Sequence, residues 1–217
     1  MSKSDVVRAS CPHCGYGQQF SIWGSVTASK DLELKRKVLD GTIFRQSCQK
    51  CRQIFRLDNS ILYNDTDSNF AVWLCEGGVT DELEDAMDSF GMVLSKSTRL
   101  RIVYTLEELA EKIRIFEAGL NDIYIQTVKL GGLRDGSPIE TDRLKFVEIK
   151  SQGGGEYSFD FAISPPHDSH KLLSMSNIDN VKYYCHKWDS LESRFDWLYV
   201  NDNNFYKLFS QFKDYLD

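Results

Sequence analysis

Cys11-Pro12-His13-Cys14-Gly15 and Cys48-Gln49-Lys50-Cys51-Arg52 are the two stretches of sequence that decide the fold. Each holds two cysteines with two residues between them, and 33 residues separate one pair from the other. Two such pairs in one short segment form the ligand pattern of a closed structural Zn²⁺ site, in which four thiolates surround one ion. The sequence therefore predicts one Zn²⁺ with four ligands: Cys11, Cys14, Cys48 and Cys51.

A shell of four thiolates leaves no position for a water molecule, so the predicted ion is structural rather than catalytic. The ion would close the long loop between the pairs and fix two turns in a segment too small for a secure core. The same spacing also occurs in disulfide switches that release zinc, and it leaves that alternative open. His13 lies between two ligands, and with four cysteines available we expect it at the surface.

The composition indicates a folded protein, because 41% of the 217 residues are hydrophobic, which is enough for one large or two small cores. The longest apolar run, Phe70 to Cys75, is far too short to span a bilayer. The first ten residues lack the apolar stretch of a secretory signal. We therefore expect a cytoplasmic protein without membrane contact, where paired cysteines more often bind metal than form structural disulfides. The two remaining cysteines, Cys75 and Cys185, are expected to be buried, inert thiols.

The net charge of −6 is distributed unevenly, since residues 1–60 are basic and the rest of the chain is acidic. Cations interleaved with aromatic residues can bind nucleic acid through phosphate contacts and base stacking. The candidate cations are Lys35, Arg36, Lys37, Arg45, Lys50, Arg52 and Arg56, and the candidate stacking residues are Phe20, Trp23, Phe44 and Phe55. The alternative is that Phe44 and Phe55 form the core of the metal module and the cations solvate its rim. That alternative is favoured, because dedicated nucleic-acid binders are usually far more basic.

Strands are predicted on both sides of each cysteine pair, which is the arrangement of a zinc ribbon. They are expected at residues 6–10, 20–26, 42–48 and 52–57, with a kink or bulge at Trp23-Gly24. A helix over residues 30–40, capped by Ser29 and followed by Gly41, is inserted in the loop between the pairs.

The middle of the chain predicts a hairpin and several helices. Asp65, Asp67 and Asn69 alternate as in a calcium loop, but Phe70 occupies the sixth position, where that loop needs glycine, so residues 64–69 are read as a polar turn. A buried strand follows at residues 70–74. Further elements are a helix over 81–90 capped by Thr80, a strand through Leu100 and Ile102, a helix behind the capping box Thr105–Glu108, and a helix from Asn121 to Leu130.

The last third predicts two strands, at residues 146–149 and 157–161, joined by a hairpin turn at Gly153-Gly154-Gly155. Helices are expected over residues 177–194 and near the end of the chain, where Phe205, Leu208, Phe209 and Phe212 share one face. The predicted fold class is α+β, with an N-terminal zinc ribbon, a helical middle and a C-terminal α+β segment. The corresponding domains are residues 1–78, 79–130 and 131–217, with a loop at Gly131 to Pro138 as the second border.

The most enzyme-like cluster outside the cysteines is His167-Asp168-Ser169-His170. Two histidines three residues apart, with His186 elsewhere, could hold a catalytic metal in a hydrolase. The cluster follows Pro165-Pro166, and the sequence indicates no acidic partner for its histidines, so a polar loop is favoured. Asp160, Asp168 and Asp189 could act as general acids or bases, although most carboxylates at this frequency are solvated.

The order of several motifs resembles a known family. The first cysteine pair is followed by Val38-Leu39-Asp40-Gly41-Thr42-Ile43-Phe44, the second pair, residues 61–65 and residues 70–74. This order is similar to the CpXC domain family, bacterial proteins named after a Cys-Pro-x-Cys motif. The segment Leu106 to Leu130 resembles the helices that follow that domain, so the resemblance covers roughly residues 7–130.

Two departures from the family pattern stand out. The second pair lacks the proline and the following glycine, which loosens that turn but removes no ligand, and Asn64 stands where a histidine is expected. The resemblance implies a bacterial zinc-ribbon protein and brings no established activity with it. We therefore expect a non-enzymatic cytoplasmic binding or regulatory module whose partner is a protein. The alternatives are a nucleic-acid-associated factor and, less favoured, a hydrolase built on the C-terminal histidines.

Overall fold

The computed structural model describes residues 1–94, 98–132, 143–153, 156–163, 169–175, 183, 186 and 197–200. Helices and sheets are mixed along the chain, so the predicted α+β class is confirmed. The chain divides into two compact units, residues 1–110 and 111–217. The domain borders predicted at residues 78 and 130 stay predictions. Among the helices of the described residues, none has the length and apolar content needed to cross a bilayer.

The elements are numbered in chain order. The strands are β1 (Lys3–Ser10), β2 (Gly17–Thr27), β3 (Arg45–Ser47), β4 (Ile54–Arg56), β5 (Ile61–Asp65), β6 (Phe70–Leu74), β7 (Arg99–Val103), β8 (Leu144–Gly153), β9 (Glu156–Ile163) and β10 (Ser169–Met175). The helices are α1 (Leu32–Leu39), α2 (Asp81–Val93), α3 (Leu106–Glu117) and α4 (Asp122–Gly132).

The first unit is built on a five-stranded mixed sheet in the order β1-β2-β5-β6-β7. The β1–β2 and β5–β6 pairs are antiparallel hairpins, whereas β2–β5 and β6–β7 are parallel. Every residue of β6 is buried, as predicted from its continuous apolar run. The predicted polar turn between β5 and β6 is confirmed, because Asp65 Oδ1 accepts hydrogen bonds from the N–H groups of Asp67 and Ser68.

The bulge predicted in the second strand is present at Gly24. Lys3 lies opposite Ser25 and Ser4 lies opposite Trp23, so Gly24 has no partner in β1. A bulge of this kind leaves one extra residue on one strand of an antiparallel pair and bends that strand. It separates the half of β2 that continues from the first cysteine turn from the half that pairs with β5.

The second cysteine pair joins β3 to β4, a short antiparallel pair with Gln46 opposite Phe55. Both strands are shorter than predicted, since only residues 45–47 and 54–56 pair. The prediction that Ser29 caps α1 is wrong. Residues 28–30 form a 3₁₀ turn, and the Asp31 side chain accepts from the Leu34 N–H instead. Gly41, at φ +74°, follows the helix end as predicted.

Three other helix starts agree with the sequence. Thr80 accepts a hydrogen bond from the Leu83 N–H and caps α2. Thr105 and Glu108 form the reciprocal capping box at α3, since the Thr105 hydroxyl accepts from the Glu108 N–H and the Glu108 carboxylate accepts from the Thr105 N–H. Asn121 caps α4 by accepting from the N–H of Ile123.

The second unit contains an antiparallel sheet in the order β10-β9-β8. The predicted hairpin of β8 and β9 is confirmed, and Phe146, Phe159 and Phe161 pack against one another on its buried face. Strand β10 was not predicted, because its sequence was assigned to a loop. The border loop predicted from Gly131 to Pro138 is wrong at its start, because Gly131 and Gly132 belong to α4. The remainder of that segment, most of the helix predicted over 177–194 and the predicted terminal helix lie outside the described residues.

Two buried ion pairs hold the helices of the second unit. Lys112 Nζ lies 2.6 Å from Asp122 Oδ2 and also donates to the Val200 carbonyl. Lys129 Nζ lies 2.7 Å from Glu111 Oε1, the same oxygen that accepts from the Phe146 N–H. All four side chains are at most 7% exposed. Burial alone would raise the pKa of Glu111, but Lys129, Lys145 and Lys112 hold that pKa below its ordinary value.

Candidate metal centre

Each cysteine pair lies in a tight turn at the tip of a hairpin, and we call the two turns the knuckles, residues 11–16 and 48–53. Their backbone hydrogen bonds are the same. In the first knuckle, the Cys11 N–H donates to the Tyr16 carbonyl and the Gly15 N–H donates to the Cys11 carbonyl. In the second, the Cys48 N–H donates to Gln53 and the Arg52 N–H donates to Cys48. The knuckles therefore close in one way despite their different sequences.

The residue after each pair has a left-handed backbone. Gly15 has φ +70° and Arg52 has φ +62°. Glycine adopts this conformation without steric cost, whereas a residue with a Cβ does so at roughly 1–2 kcal/mol. The missing glycine of the second pair thus costs conformational energy and changes none of the hydrogen bonds that close the turn.

The four cysteine sulfurs form a single cluster, in which all ligand atoms lie within 4.8 Å of one another. Cys11 Sγ lies 3.7 Å from Cys51 Sγ, and Cys14 Sγ lies 3.7 Å from Cys48 Sγ. These contacts are far longer than a disulfide bond of about 2.05 Å. They match the edge of about 3.8 Å that a tetrahedron has when each sulfur lies about 2.3 Å from a central Zn²⁺. The residues fit one tetrahedral metal ion.

The thiol pKa values show what the cluster needs from an ion. The Cys51 N–H and, to a smaller extent, the Lys50 N–H lower the pKa of Cys48 to about 6, against the effect of its burial. The Gln53 N–H lowers the pKa of Cys51, but burial and the three neighbouring thiols raise it to about 12. One thiol therefore ionises readily and another resists ionisation while its neighbours surround it. A divalent cation at the centre would hold all four as thiolates.

A glutamine side chain joins the two knuckles independently of the sulfurs. Gln18 is buried in β2, its Nε2 donates to the Ser47 carbonyl at 3.2 Å, and its Oε1 accepts from the Gln49 N–H at 2.8 Å. These two bonds flank Cys48 on both sides along the chain. The sequence does not predict this role for Gln18, because glutamine in a strand is ordinarily exposed.

A family model described as "CpXC protein" matches residues 9–129. This match covers more than half of the chain, and it includes both knuckles. The chain belongs to the CpXC family. The resemblance noted over residues 7–130 is thereby confirmed. No curated protein and no solved structure matches the chain.

In this CpXC protein the candidate cations are placed on the surface of the first unit, and some of them have partners. Lys37 pairs with Glu33 at 2.8 Å. Arg56 binds Asp58 and Glu76, and its guanidinium lies over the Phe44 ring. Lys35 and Lys37 are partly buried, whereas the remaining candidates are exposed: Arg36, Arg45, Lys50, Arg52 and Arg56.

The candidate stacking residues contribute to packing. Phe20 and Phe44 are buried, at 4% and 1% exposed, and Phe20 meets the edge of Phe55 at 5.4 Å between ring centroids. Buried rings cannot stack on bases. The prediction that Phe44 belongs to the core is confirmed, Phe55 is only half-buried, and Phe20 is a further core residue. His13 is exposed, as expected for a residue that is not a ligand.

The C-terminal histidines fall in two categories. His167 and Asp168 lie outside the described residues. His170 lies in β10 rather than in a loop, and it has an acidic partner, since its Nδ1 lies 2.9 Å from Asp160 Oδ1. Asp160 was expected to be solvated, but it is fully buried. Lys150 Nζ lies 2.7 Å from its other carboxylate oxygen. Three neighbouring strands thus contribute one residue each to this cluster.

Proposed function

We propose that this protein is a non-enzymatic, cytosolic bacterial binding module in which one structural Zn²⁺ shapes a surface that contacts another protein. The proposed contact surface, which we call the knuckle face, consists of the exposed residues at the two hairpin tips. Its members are Pro12, His13, Tyr16, Lys50, Arg52 and Ile54.

The observation that carries the proposal is the closed set of four sulfurs. Zinc with four protein ligands has no position for water or substrate, so an ion in this cluster would hold the knuckles in place without reacting. The 3.7 Å sulfur contacts support zinc, because they match the geometry of a tetrathiolate site. In zinc-finger peptides, binding of this kind supplies roughly 10–16 kcal/mol near neutral pH.

The knuckle face has the composition of a protein-contact surface. Tyr16 is 42% exposed and Ile54 is 66% exposed, although both are large hydrophobic residues. Lys50 lies over the Tyr16 ring at 5.9 Å, so a cation and an aromatic side chain are presented together. Aromatic residues and arginine are enriched in interfaces. The complementary partner surface would offer carboxylates to Lys50 and Arg52 and an apolar side chain to Tyr16 and Ile54.

The nucleic-acid alternative has less support from the arrangement. Two of its aromatic residues are buried and two of its cations, Lys37 and Arg56, are held by carboxylates. Binding through phosphates would weaken steeply as salt is raised. Absence of DNA and RNA binding at low salt would remove this alternative.

A charge-reversal experiment tests the proposal. The full chain and its Lys50→Glu/Arg52→Glu variant are used to capture proteins from the native cell, and both captures are quantified by mass spectrometry. We expect a defined protein to be retained by the wild type and lost from the variant, with zinc content unchanged in both. Arg36→Glu is the matched control, because Arg36 is an exposed cation on α1 and belongs to neither knuckle. Equal loss in the control, or equal capture by all three, would contradict a knuckle-specific partner.

The hydrolase alternative is tested separately. The Asp160–His170 pair orients one imidazole, and orientation of this kind is what a general base requires. Alanine at both His167 and His170 should leave every measured property except local stability unchanged if the protein is not an enzyme. A hydrolytic activity lost in that double variant would favour the alternative.

A further inference from the structure

The four cysteine residues of the metal centre differ in exposure. Cys11 and Cys48 are buried, Cys51 is partly buried, and Cys14 is exposed. Cys48 also receives a backbone hydrogen bond from the Cys51 N–H at 3.5 Å, which withdraws charge from its sulfur. Cys14 is thus the most exposed of the four cysteine residues, and its sulfur contacts a sulfur of the other knuckle.

We propose that hydrogen peroxide converts Cys14 and Cys48 into a disulfide between the two knuckles and expels the zinc. This inference rests on the proposed structural Zn²⁺ and adds a means of regulating it. The pair lies 3.7 Å apart, so a sulfur must move by less than 2 Å to reach bonding distance, about 2.05 Å. The product joins two hairpins, unlike a disulfide within either Cys-x-x-Cys turn.

The reaction balances in two steps. The Cys14 thiolate attacks one oxygen of the peroxide, the O–O bond breaks, and Cys14 sulfenic acid and hydroxide are formed. The Cys48 thiolate then attacks the Cys14 sulfur, the S–O bond breaks, and a second hydroxide leaves. The two sulfurs have lost two electrons to the peroxide, and the two hydroxides take up two protons to become water. Cys11 and Cys51 alone cannot complete the shell, so the zinc leaves.

Gln18 is the residue that would keep the knuckles aligned while the metal leaves. Its amide binds the backbone immediately before and after Cys48, and neither bond involves a sulfur. The second sulfur therefore stays near Cys14 when coordination is lost. We assign Gln18 as the positioning residue that selects the Cys14–Cys48 bond over the two disulfides within single knuckles.

The test uses the zinc-loaded full chain, freed of reductant and titrated with hydrogen peroxide. Zinc release is followed with a chelating dye, and the disulfide is identified by mass spectrometry of proteolytic peptides. We expect one zinc released per peroxide consumed, a cross-link between the peptides of Cys14 and Cys48, and recovery of zinc binding after reduction. Retention of zinc under excess peroxide, or a product dominated by Cys11–Cys14 or Cys48–Cys51, would overturn the proposal.

Two variants make the assignment specific. Gln18→Met keeps the size of the side chain and removes both hydrogen bonds, so it should bind zinc and yield several-fold less of the cross-knuckle product. The same product distribution as the wild type would overturn the role of Gln18. Cys75→Ala is the control, because burial raises the pKa of Cys75 to about 11 and leaves it unreactive. If only this inference fails, the zinc stays bound and the partner captured by the knuckle face is unaffected.

Discussion

The two compact units are stabilised in different ways. Residues 1–110 bring four sulfurs together at the tips of two hairpins, where the cluster could hold one metal ion. Residues 111–217 contain two buried ion pairs, in which each charged side chain is paired with one of opposite charge. A charge taken out of water costs several kcal/mol, and only a partner with good geometry offsets this cost. We therefore expect removal of the proposed metal to affect the first unit, and removal of one buried charge to affect the second.

Removal of the metal should have the largest effect of all the changes, and it should act on the first unit. Cys48→Ser leaves three thiolates, and we expect loss of zinc and of most of the roughly 10–16 kcal/mol that such binding supplies. Hydrogen exchange followed by mass spectrometry should show lost protection in β1 to β4 and unchanged protection in β8 and β9. Cys75→Ala, which removes a buried thiol that is not a ligand, should keep its zinc. Stoichiometric zinc in the Cys48→Ser variant would contradict the four-sulfur site.

Removal of one buried charge should have the next largest effect, in the second unit. Asp122→Ala leaves the Lys112 ammonium buried without its carboxylate, and we expect a loss of about 3–5 kcal/mol in the free energy of unfolding. Denaturant unfolding measures it. Glu33→Ala is the matched control, since it breaks the solvent-exposed pair with Lys37 and should leave the free energy of unfolding nearly unchanged.

A double variant separates the charge from the packing. Lys112→Met with Asp122→Leu removes both charges, and we expect it to recover most of the stability lost by Asp122→Ala, because a buried pair contributes little beyond well-packed apolar residues. A double variant as unstable as the single one would show that the pair itself stabilises the second unit.

The knuckles differ by a smaller amount, which two reciprocal substitutions should reveal. Gly15→Ala places a Cβ on a left-handed backbone with open space around it, so only conformational energy is lost, about 1 kcal/mol. Arg52→Gly relieves the same cost and should raise stability by up to about 1 kcal/mol, less the chain entropy of glycine. Thermal unfolding of the zinc-loaded protein should shift in opposite directions. Shifts of equal sign would mean that side-chain contacts decide both positions.

The smallest expected effect is a pH dependence in the β8–β9–β10 sheet. Burial acts to raise the pKa of Asp160, but hydrogen bonds from Lys150 and His170 bring it below its ordinary value. A lowered carboxyl pKa contributes stability above the ordinary Asp pKa of about 3.9, and this contribution is lost as pH falls below it. Asp160→Asn should therefore melt earlier than wild type at pH 7, and the difference should narrow as pH falls through the lowered pKa of Asp160 in the folded protein. Because Lys150 and His170 are more than 40% exposed, solvent screens the effect.

Local features of this chain could be predicted because their partners lie within one turn of each other. The capping box at Thr105 and Glu108 and the bulge at Gly24 are visible within a few residues. The two cysteine pairs are 33 residues apart, and their meeting could still be predicted because two Cys-x-x-Cys pairs form a known metal-ligand pattern. This long-range contact is an exception. Ser29 was mistaken for the cap of α1 because Asp31, two positions later, is an equally good acceptor. The local pattern offered both and could not rank them.

Features that join distant residues could not be predicted. Lys112 and Lys129 each lie in a helix, where lysine is ordinarily exposed. Nothing nearby in the sequence indicates that they pair with Asp122 and Glu111 in the interior of the second unit. Strand β10 was missed because its alternation is weak, and with it the contact of His170 to Asp160. Gln18 acts only through the backbone of another hairpin. In each case the contact joins residues that are far apart in the chain, so no local sequence pattern indicates it.

The shared closure of the two knuckles has a consequence for how relatives of this chain are recognised. A search signature that insists on glycine after the second Cys-x-x-Cys would pass over any homologue whose turn carries an arginine in the same left-handed shape. The Arg52 turn keeps the left-handed shape and the two backbone hydrogen bonds of the Gly15 turn, so glycine is not required to close it. Sequence surveys that tolerate any residue at this position should therefore enlarge the known membership of the family.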